Sequence, residues 1–213
     1  MKGIFDLENP IIQFLDSLTD LVILNVVFLI CCIPVFTIGA SLSALHYVLM
    51  KMLKQEDAHL IRTFFTAFRR NFKQATLLWL VFLIISGIIA GDAVMIMRGY
   101  VEISQTVIIV VGIVYLIICL IMMYAVPMIS WYDNSTKQIV QNSFLIAVLN
   151  LPKTLGMALM YAAPFILWYF SAKSLIFLFL LGISGPAYCN SRTLKTIYEM
   201  YESKDGKEVV SDS

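Results

Sequence analysis

Long stretches without charged residues alternate along this chain with short stretches that hold nearly all of its Lys, Arg, Asp and Glu. Each uncharged stretch is close to the length of about 20 residues that a helix needs to cross the roughly 30 Å hydrocarbon core of a bilayer. The uncharged stretches are residues 21–50, 74–91, 103–132, 154–172 and 174–191. The pattern therefore predicts an all-α, polytopic membrane protein with a single membrane domain over residues 1–213.

The distribution of basic residues predicts how the chain crosses the membrane. We predict five transmembrane helices, at about residues 21–45, 75–97, 104–131, 154–172 and 174–192, followed by a tail at 193–213. Twelve of the 15 Lys and Arg residues then lie on one side of the membrane. A sixth span at 138–152 would divide them almost evenly. Because basic loops stay in the cytoplasm, five spans place the N-terminus outside and the C-terminus inside.

The first apolar stretch leaves two arrangements open. A straight helix from residue 10 to residue 45 would be about 54 Å long, which is too long to stand upright in a bilayer. We therefore predict an amphipathic interfacial arm at 9–20 that bends into the first span. Pro34 and Gly39 form a second weak point inside that span. The alternative is a re-entrant hairpin that folds at residues 33–39, with arms of about 14 residues.

Two cytoplasmic segments, at about 55–73 and 136–151, have the periodicity of amphipathic surface helices. In the first segment, aromatic side chains lie on one face and basic side chains on the opposite face, a pattern typical of helices that rest on anionic headgroups. Docking of a cytoplasmic partner is the alternative. The candidate lipid or partner contacts are Arg62, Phe65, Phe68, Arg69, Phe72 and Lys73.

These two segments also suggest an internal repeat. A shift of 80 residues aligns Thr63 with Ser143, Phe64 with Phe144, Ala67 with Ala147 and Lys73 with Lys153. The repeated unit would be a span, a surface helix, a lysine and a returning span, in the same orientation both times. Such a parallel repeat is known among transporters, but common membrane-surface residues would match by chance as well.

The spans contain few groups that could carry chemistry. His46, near the cytoplasmic end of the first span, is the ionisable residue inside them, and we interpret it as a hydrogen-bonding residue at a helix end. We expect no serine with a histidine partner on another span, no metal ligands and no nucleotide-binding motif. The sequence thus predicts a protein that is not an enzyme, with no cofactor and no nucleic-acid partner.

Several segments resemble the YesL-type family of small bacterial integral membrane proteins. The segments are residues 9–14, 20–25, 31–41, 64–76 and 144–154. The resemblance implies a multi-pass protein of a bacterial plasma membrane, in a family without an established activity that is often encoded beside carbohydrate ABC importers. It therefore suggests an accessory protein that contacts the permease or the ATPase of such an importer.

The sequence is also compatible with a second function. Five spans with few polar residues enclose little aqueous space, so a channel or facilitator for a small solute would require an oligomer. We keep this as the alternative to the accessory role.

Overall fold

The computed structural model describes residues 10–54, 59–101, 103–170 and 181–211, which form seven α-helices and no strand. The helices are α1 (Pro10–Cys31), α2 (Ile38–Leu53), α3 (Leu60–Met97), α4 (Gln105–Trp131), α5 (Thr136–Leu149), α6 (Leu151–Phe170) and α7 (Ser184–Ser211). The all-α prediction is confirmed. The start of the predicted 55–73 helix, at residues 55–58, lies outside the described residues, and so do residues 171–180, where the fourth predicted span ends and the fifth begins.

Several of these helices are suited to a bilayer by length and composition. Within the described ranges, three segments are long and apolar enough to cross a membrane: Val35–Leu53, Leu60–Met97 and Gln105–Trp131. α5 and α6 would provide a fourth crossing if they act together as one broken span. These features fit a multi-pass membrane protein with three or four such spans.

The first apolar stretch is divided in the structure. α1 ends at Cys31, a short 3-10 turn covers Val35–Thr37, and α2 begins at Ile38. Pro34 explains the break, because proline has no N–H to continue a helix and disfavours helical geometry in the residue before it. The Thr37 hydroxyl lies 2.6 Å from the carbonyl oxygen of Cys31 and so satisfies one of the carbonyls that the end of α1 leaves free.

After this turn, α2 folds back along α1. Leu24 and Phe28 of α1 belong to the same buried cluster as Leu45 and Leu49 of α2. In a straight helix, residues 24 and 49 would lie about 37 Å apart. The predicted single span therefore has the form of a helical hairpin here, with arms of 22 and 16 residues.

Small residues let α2 pack closely against α3. A Cβ atom placed on Gly39 would lie 2.5 Å from the Cβ of Trp79 and 2.7 Å from the carbonyl oxygen of Ala75. Such close approach of two backbones is the usual role of glycine in membrane helix pairs. α2 also contacts α1, α4 and α7, so it is the central helix of the fold.

α3 joins two elements that the sequence analysis separated. Its 38 residues run without a break from the predicted surface helix into the predicted second span. A helix of this length extends about 57 Å, nearly twice the thickness of the hydrocarbon core. The basic amino-terminal half of α3 therefore projects from the apolar half along the same axis.

α5 corresponds to the second predicted surface helix. A capping box starts it, in which the Ser135 hydroxyl accepts from the backbone N–H of Gln138 and the Gln138 side chain accepts from the backbone N–H of Ser135. α5 and α6 meet at an angle of 101° at Asn150. The Asn150 amide donates to the carbonyl of Ile146 and so satisfies an acceptor at the end of α5.

The two proposed repeat units have different shapes. The first contains the unbroken α3, whereas the second contains the sharp bend between α5 and α6. Ala67 and Ala147 are both buried, but Phe64 is fully buried and its counterpart Phe144 is 47% exposed. The structure therefore does not confirm the repeat.

Candidate functional site

The six predicted contact residues all lie on the amino-terminal half of α3, and they divide into two groups. Arg62, Phe65, Arg69 and Lys73 are exposed. Phe68 and Phe72 are half-buried, with their ring centroids 5.4 Å apart. The exposed group thus forms a basic surface with one aromatic residue, which we call the α3 basic face.

The buried side of this half-helix holds it against the rest of the protein. Phe64 and Ala67 belong to the cluster that contains α1 and α2 residues, and Asn71 is also buried. Most of the aromatic stripe that the sequence analysis assigned to lipid headgroups is therefore used in packing. Phe65, at 44% exposure, is the aromatic residue of the stripe most available to a lipid or partner.

A cluster of cations and aromatic rings lies at the junction of α2, α3 and α4. The Lys54 ammonium is 4.5 Å from the centroid of the Trp131 ring, and the Arg70 guanidinium is 5.2 Å from that of Tyr47. Arg70 also donates from Nη2 to the carbonyl oxygen of Ser130, at 2.6 Å. Cation–π contacts and a charge-assisted hydrogen bond thus connect the basic ends of α2 and α3 to the end of α4.

His46 is a buried polar residue that bonds to two other helices of the bundle. Its Nδ1 lies 2.8 Å from the Ser191 hydroxyl, and its Nε2 lies 2.7 Å from the Tyr161 hydroxyl. His46 and Ser191 are fully or almost fully buried. The imidazole therefore bridges α2, α6 and α7 in the interior of the bundle.

The chemistry of this bridge favours a structural role. Both partners are hydroxyls, which donate or accept, so either neutral tautomer of His46 is satisfied. A serine beside a histidine also resembles a nucleophile with its base. However, Ser191 has no exposed surface through which a substrate could reach its oxygen.

A second polar contact fixes α7 at the amino-terminal end of the helix. The Asn25 side chain accepts a hydrogen bond from the backbone N–H of Ser184, at 3.0 Å. Further along α7, the Asn190 amide donates to the carbonyl of Met157 in α6. Capping of a helix N–H by a residue 159 positions away shows that α1 and α7 pack as parts of one core.

The pairing of His46 with Ser191 corrects the expectation that no serine on another span would meet a histidine. The sequence contains both residues, but no local spacing relates positions 46 and 191. Their small or polar character within apolar stretches was the available signal, since polar groups in such stretches usually bond across a helix interface. Among the residues that the structure describes, no group of three His, Cys, Asp or Glu side chains could hold a metal ion.

Comparison with known families gives a match for part of the chain. Residues 21–93 match the family described as "Protein of unknown function, DUF624". This region contains most of the α1–α2 hairpin and nearly all of α3, about one third of the chain. No match was found among the curated proteins or among the solved structures.

Proposed function

We propose that this protein is a non-enzymatic integral membrane protein of the bacterial plasma membrane, accessory to a carbohydrate ABC-type uptake system. The observation that carries the proposal is the α3 basic face. Arg62, Arg69 and Lys73 are exposed on it, while the opposite side of the same helix is packed in the core. A helix held in this way presents its charges in a fixed arrangement, as a docking surface requires.

The carbohydrate part of the proposal rests on the resemblance to YesL-type proteins. The docking part rests on the positive charge of the α3 basic face and on its position beside the bilayer. The basic face continues directly into an apolar half-helix suited to the bilayer, so a partner bound there would itself lie at the membrane surface. The permease or ATPase subunit of an importer has that location.

Copurification tests the proposal. The protein would be isolated from its native membranes in mild detergent, alongside a variant with Arg62→Gln, Arg69→Gln and Lys73→Gln. Arg98→Gln, at the opposite end of α3, is the control for loss of a basic charge. We expect importer subunits with the unaltered protein and the control, but not with the triple variant. Repeated recovery of the unaltered protein without any partner would contradict the proposal.

We also propose a topology in which the α1–α2 hairpin begins and ends on the cytoplasmic side. Ile23 of α1 lines the same shallow cavity as Leu60 and Arg62 at the start of α3. The beginning of α1 then lies on the side that carries Lys51 and Lys54, which agrees with the preference of basic residues for the cytoplasm. The proposed topology differs from the five-span prediction in the side on which the N-terminus lies, and the turn at Pro34 is the observation that supports it.

A fluorescent-protein fusion that matures only in the cytoplasm tests this topology. Fluorescence from an N-terminal fusion, with a C-terminal fusion as the positive control, is expected. An N-terminal fusion that does not fluoresce, in a correctly inserted protein, would contradict this topology and support an external N-terminus.

The alternative function, a channel or facilitator for a small solute, has less support. A cavity of about 460 Å³ among the membrane helices is lined by apolar side chains, with His46 and Tyr161 as its main polar members. A hydrated solute would lose its water there without gaining hydrogen bonds. Solute flux into liposomes above that of empty vesicles would favour the channel over the accessory role.

A further inference from the structure

A large apolar cavity lies among the membrane helices, and the proposed docking role does not use it. Its volume is about 460 Å³, and α1, α2, α3, α4 and α6 all contribute to its wall. Most of the lining side chains are apolar, such as Leu42, Phe82, Leu120 and Met123. None of the described lining residues is Asp, Glu, Lys or Arg. We call it the membrane cavity.

The polar groups at its wall are already satisfied. His46 and Tyr161 bond to each other, and the Trp79 indole N–H donates to the carbonyl of Val35, at 2.9 Å. Water needs two to four polar partners to be stable in a cavity, and apolar cavities stay dry. Water is therefore a poor occupant of the membrane cavity.

An empty cavity of this size is also unfavourable, because its lining atoms lack dispersion contacts on one side. An apolar cavity of about 150 Å³ in another protein is large enough to bind benzene. The membrane cavity has about three times that volume, so it has room for a chain of on the order of 18 carbon atoms. This is about the size of one lipid acyl chain.

The cavity is open toward the surroundings of the bundle. Leu116 lines it and is also 58% exposed. The neighbouring Ile109 and Ile113 on α4 are exposed as well, within a segment apolar enough to cross a membrane. The opening at Leu116 thus faces the hydrocarbon of the bilayer, where acyl chains are the available molecules.

We propose that the membrane cavity holds the acyl chain of a bilayer phospholipid that enters laterally past Leu116. The chain gains close packing with the wall. It gains little from the hydrophobic effect, since lipid hydrocarbon is as apolar as leucine. The bound lipid completes the packing of α4 and α6 around His46.

Photolabelling in vesicles tests the proposal. The protein would be reconstituted in phosphatidylethanolamine and phosphatidylglycerol that contain a trace of phosphatidylglycerol with a diazirine near the end of one acyl chain. After irradiation, labelled residues are identified by peptide mass spectrometry. We expect labels on cavity residues of α2, α4 and α6, such as Leu42, Cys119 and Ala158.

Two variants of α4 provide the matched comparison. Leu116→Trp narrows the opening, whereas Ile113→Trp adds the same ring at an exposed position that does not line the cavity. We expect cavity labelling to fall about tenfold in the first variant, as a loss of about 1.4 kcal/mol of contact energy would produce. Ile113→Trp should label like the unaltered protein. Labels confined to exposed residues of α4, or equal cavity labelling in both variants, would overturn the proposal.

A variant inside the cavity provides an independent check. Ala158→Trp should fill the space and remove the cavity labels, while Ala90→Trp, on the exposed side of α3, should not. If Ala158→Trp does not fold, the two α4 variants still decide the question. Cavity labelling by a diazirine fatty acid but not by the phospholipid would overturn the choice of a phospholipid.

Discussion

The Nδ1 atom of His46 lies 2.8 Å from the hydroxyl oxygen of Ser191, although 145 positions separate the two residues. The contact joins the central helix α2 to α7 in the buried interior. On its other side the same imidazole bonds Tyr161 of α6. The three helices are thus tied together by a single side chain, and the contacts around it can be tested by substitution.

Ser191→Ala should destabilise the protein. The change removes the partner of a buried ring nitrogen, and leaving such a group unpaired costs about 1–3 kcal/mol. The midpoint of thermal unfolding in detergent should therefore fall. Ser104→Ala is the control, because Ser104 is exposed and its side chain makes no capping hydrogen bond to α4. Equal midpoints for the two variants would show that the His46 contact contributes no stability.

Gly39→Ala should also destabilise the fold, although alanine is the better helix former. The new methyl group would overlap Trp79 and the backbone of Ala75, so α2 and α3 would have to move apart. Overpacking of this kind costs about 1–3 kcal/mol.

Gly87→Ala is the matched control, since nothing lies within 4 Å of the Cβ position there. It should stabilise α3 by up to about 1 kcal/mol. The two variants should therefore shift the unfolding midpoint in opposite directions. A shift of the same sign in both would argue against the close contact of α2 with α3.

Arg70→Gln should weaken the attachment of α3 to α4. Arg70 donates to the carbonyl of Ser130 and lies over the ring of Tyr47, and the loss of both contacts should cost about 1–2 kcal/mol. Arg69→Gln, at the adjacent exposed position, should leave stability almost unchanged. Chemical denaturation of both variants in the same detergent measures their free energies of unfolding. An equal decrease in the two variants would mean that the loss of positive charge, and not the loss of the Arg70 contacts, lowers stability.

Tyr198→Phe should reduce the loss of stability at high pH. Burial raises the pKa of the Tyr198 hydroxyl well above its ordinary value, and the neighbouring Tyr132 and Tyr124 raise it further. Above about pH 10 the unfolded chain releases this proton while the folded protein keeps it, so the free energy of unfolding falls as pH rises. Below that range both states are protonated and this group adds no pH dependence.

The Tyr198 hydroxyl is buried and has no hydrogen-bond partner in the described part of the chain. Its removal should therefore not destabilise the protein at pH 8. Tyr100→Phe, at an exposed tyrosine, is the control and should keep the pH profile of the unaltered protein. Parallel pH profiles for Tyr198→Phe and the unaltered protein would contradict the prediction.

α3 shows where sequence reasoning succeeded and where it stopped. The basic half and the apolar half were both predicted, because charge and apolar character are properties of the residues themselves. Their union in one 38-residue helix was not predicted. The sequence carries no signal for or against a break between the two halves. The structure shows that the helix continues, with Phe64 and Ala67 of the basic half packed in the core.

In the first apolar stretch, by contrast, the sequence did contain a local signal for a break. Pro34 and Gly39 marked a weak point in the sequence, and the chain does turn there. The sequence left open whether the result was a bent span or a hairpin. The packing of α1 against α2, within a buried cluster that contains Leu24 and Phe28, favours the hairpin, since packing between the two arms sets the angle at a proline break.

The sequence by itself determined that this protein is helical, that its apolar stretches suit a bilayer and that nearly all of its charged residues lie between those stretches. These properties follow from the transfer free energies of individual residues, which each segment carries wherever it lies. The tertiary structure alone decided the packing of α1 against α2, the meeting of His46 with Ser191 and the formation of the membrane cavity. These features depend on the packing of side chains from distant parts of the chain, which no local pattern records.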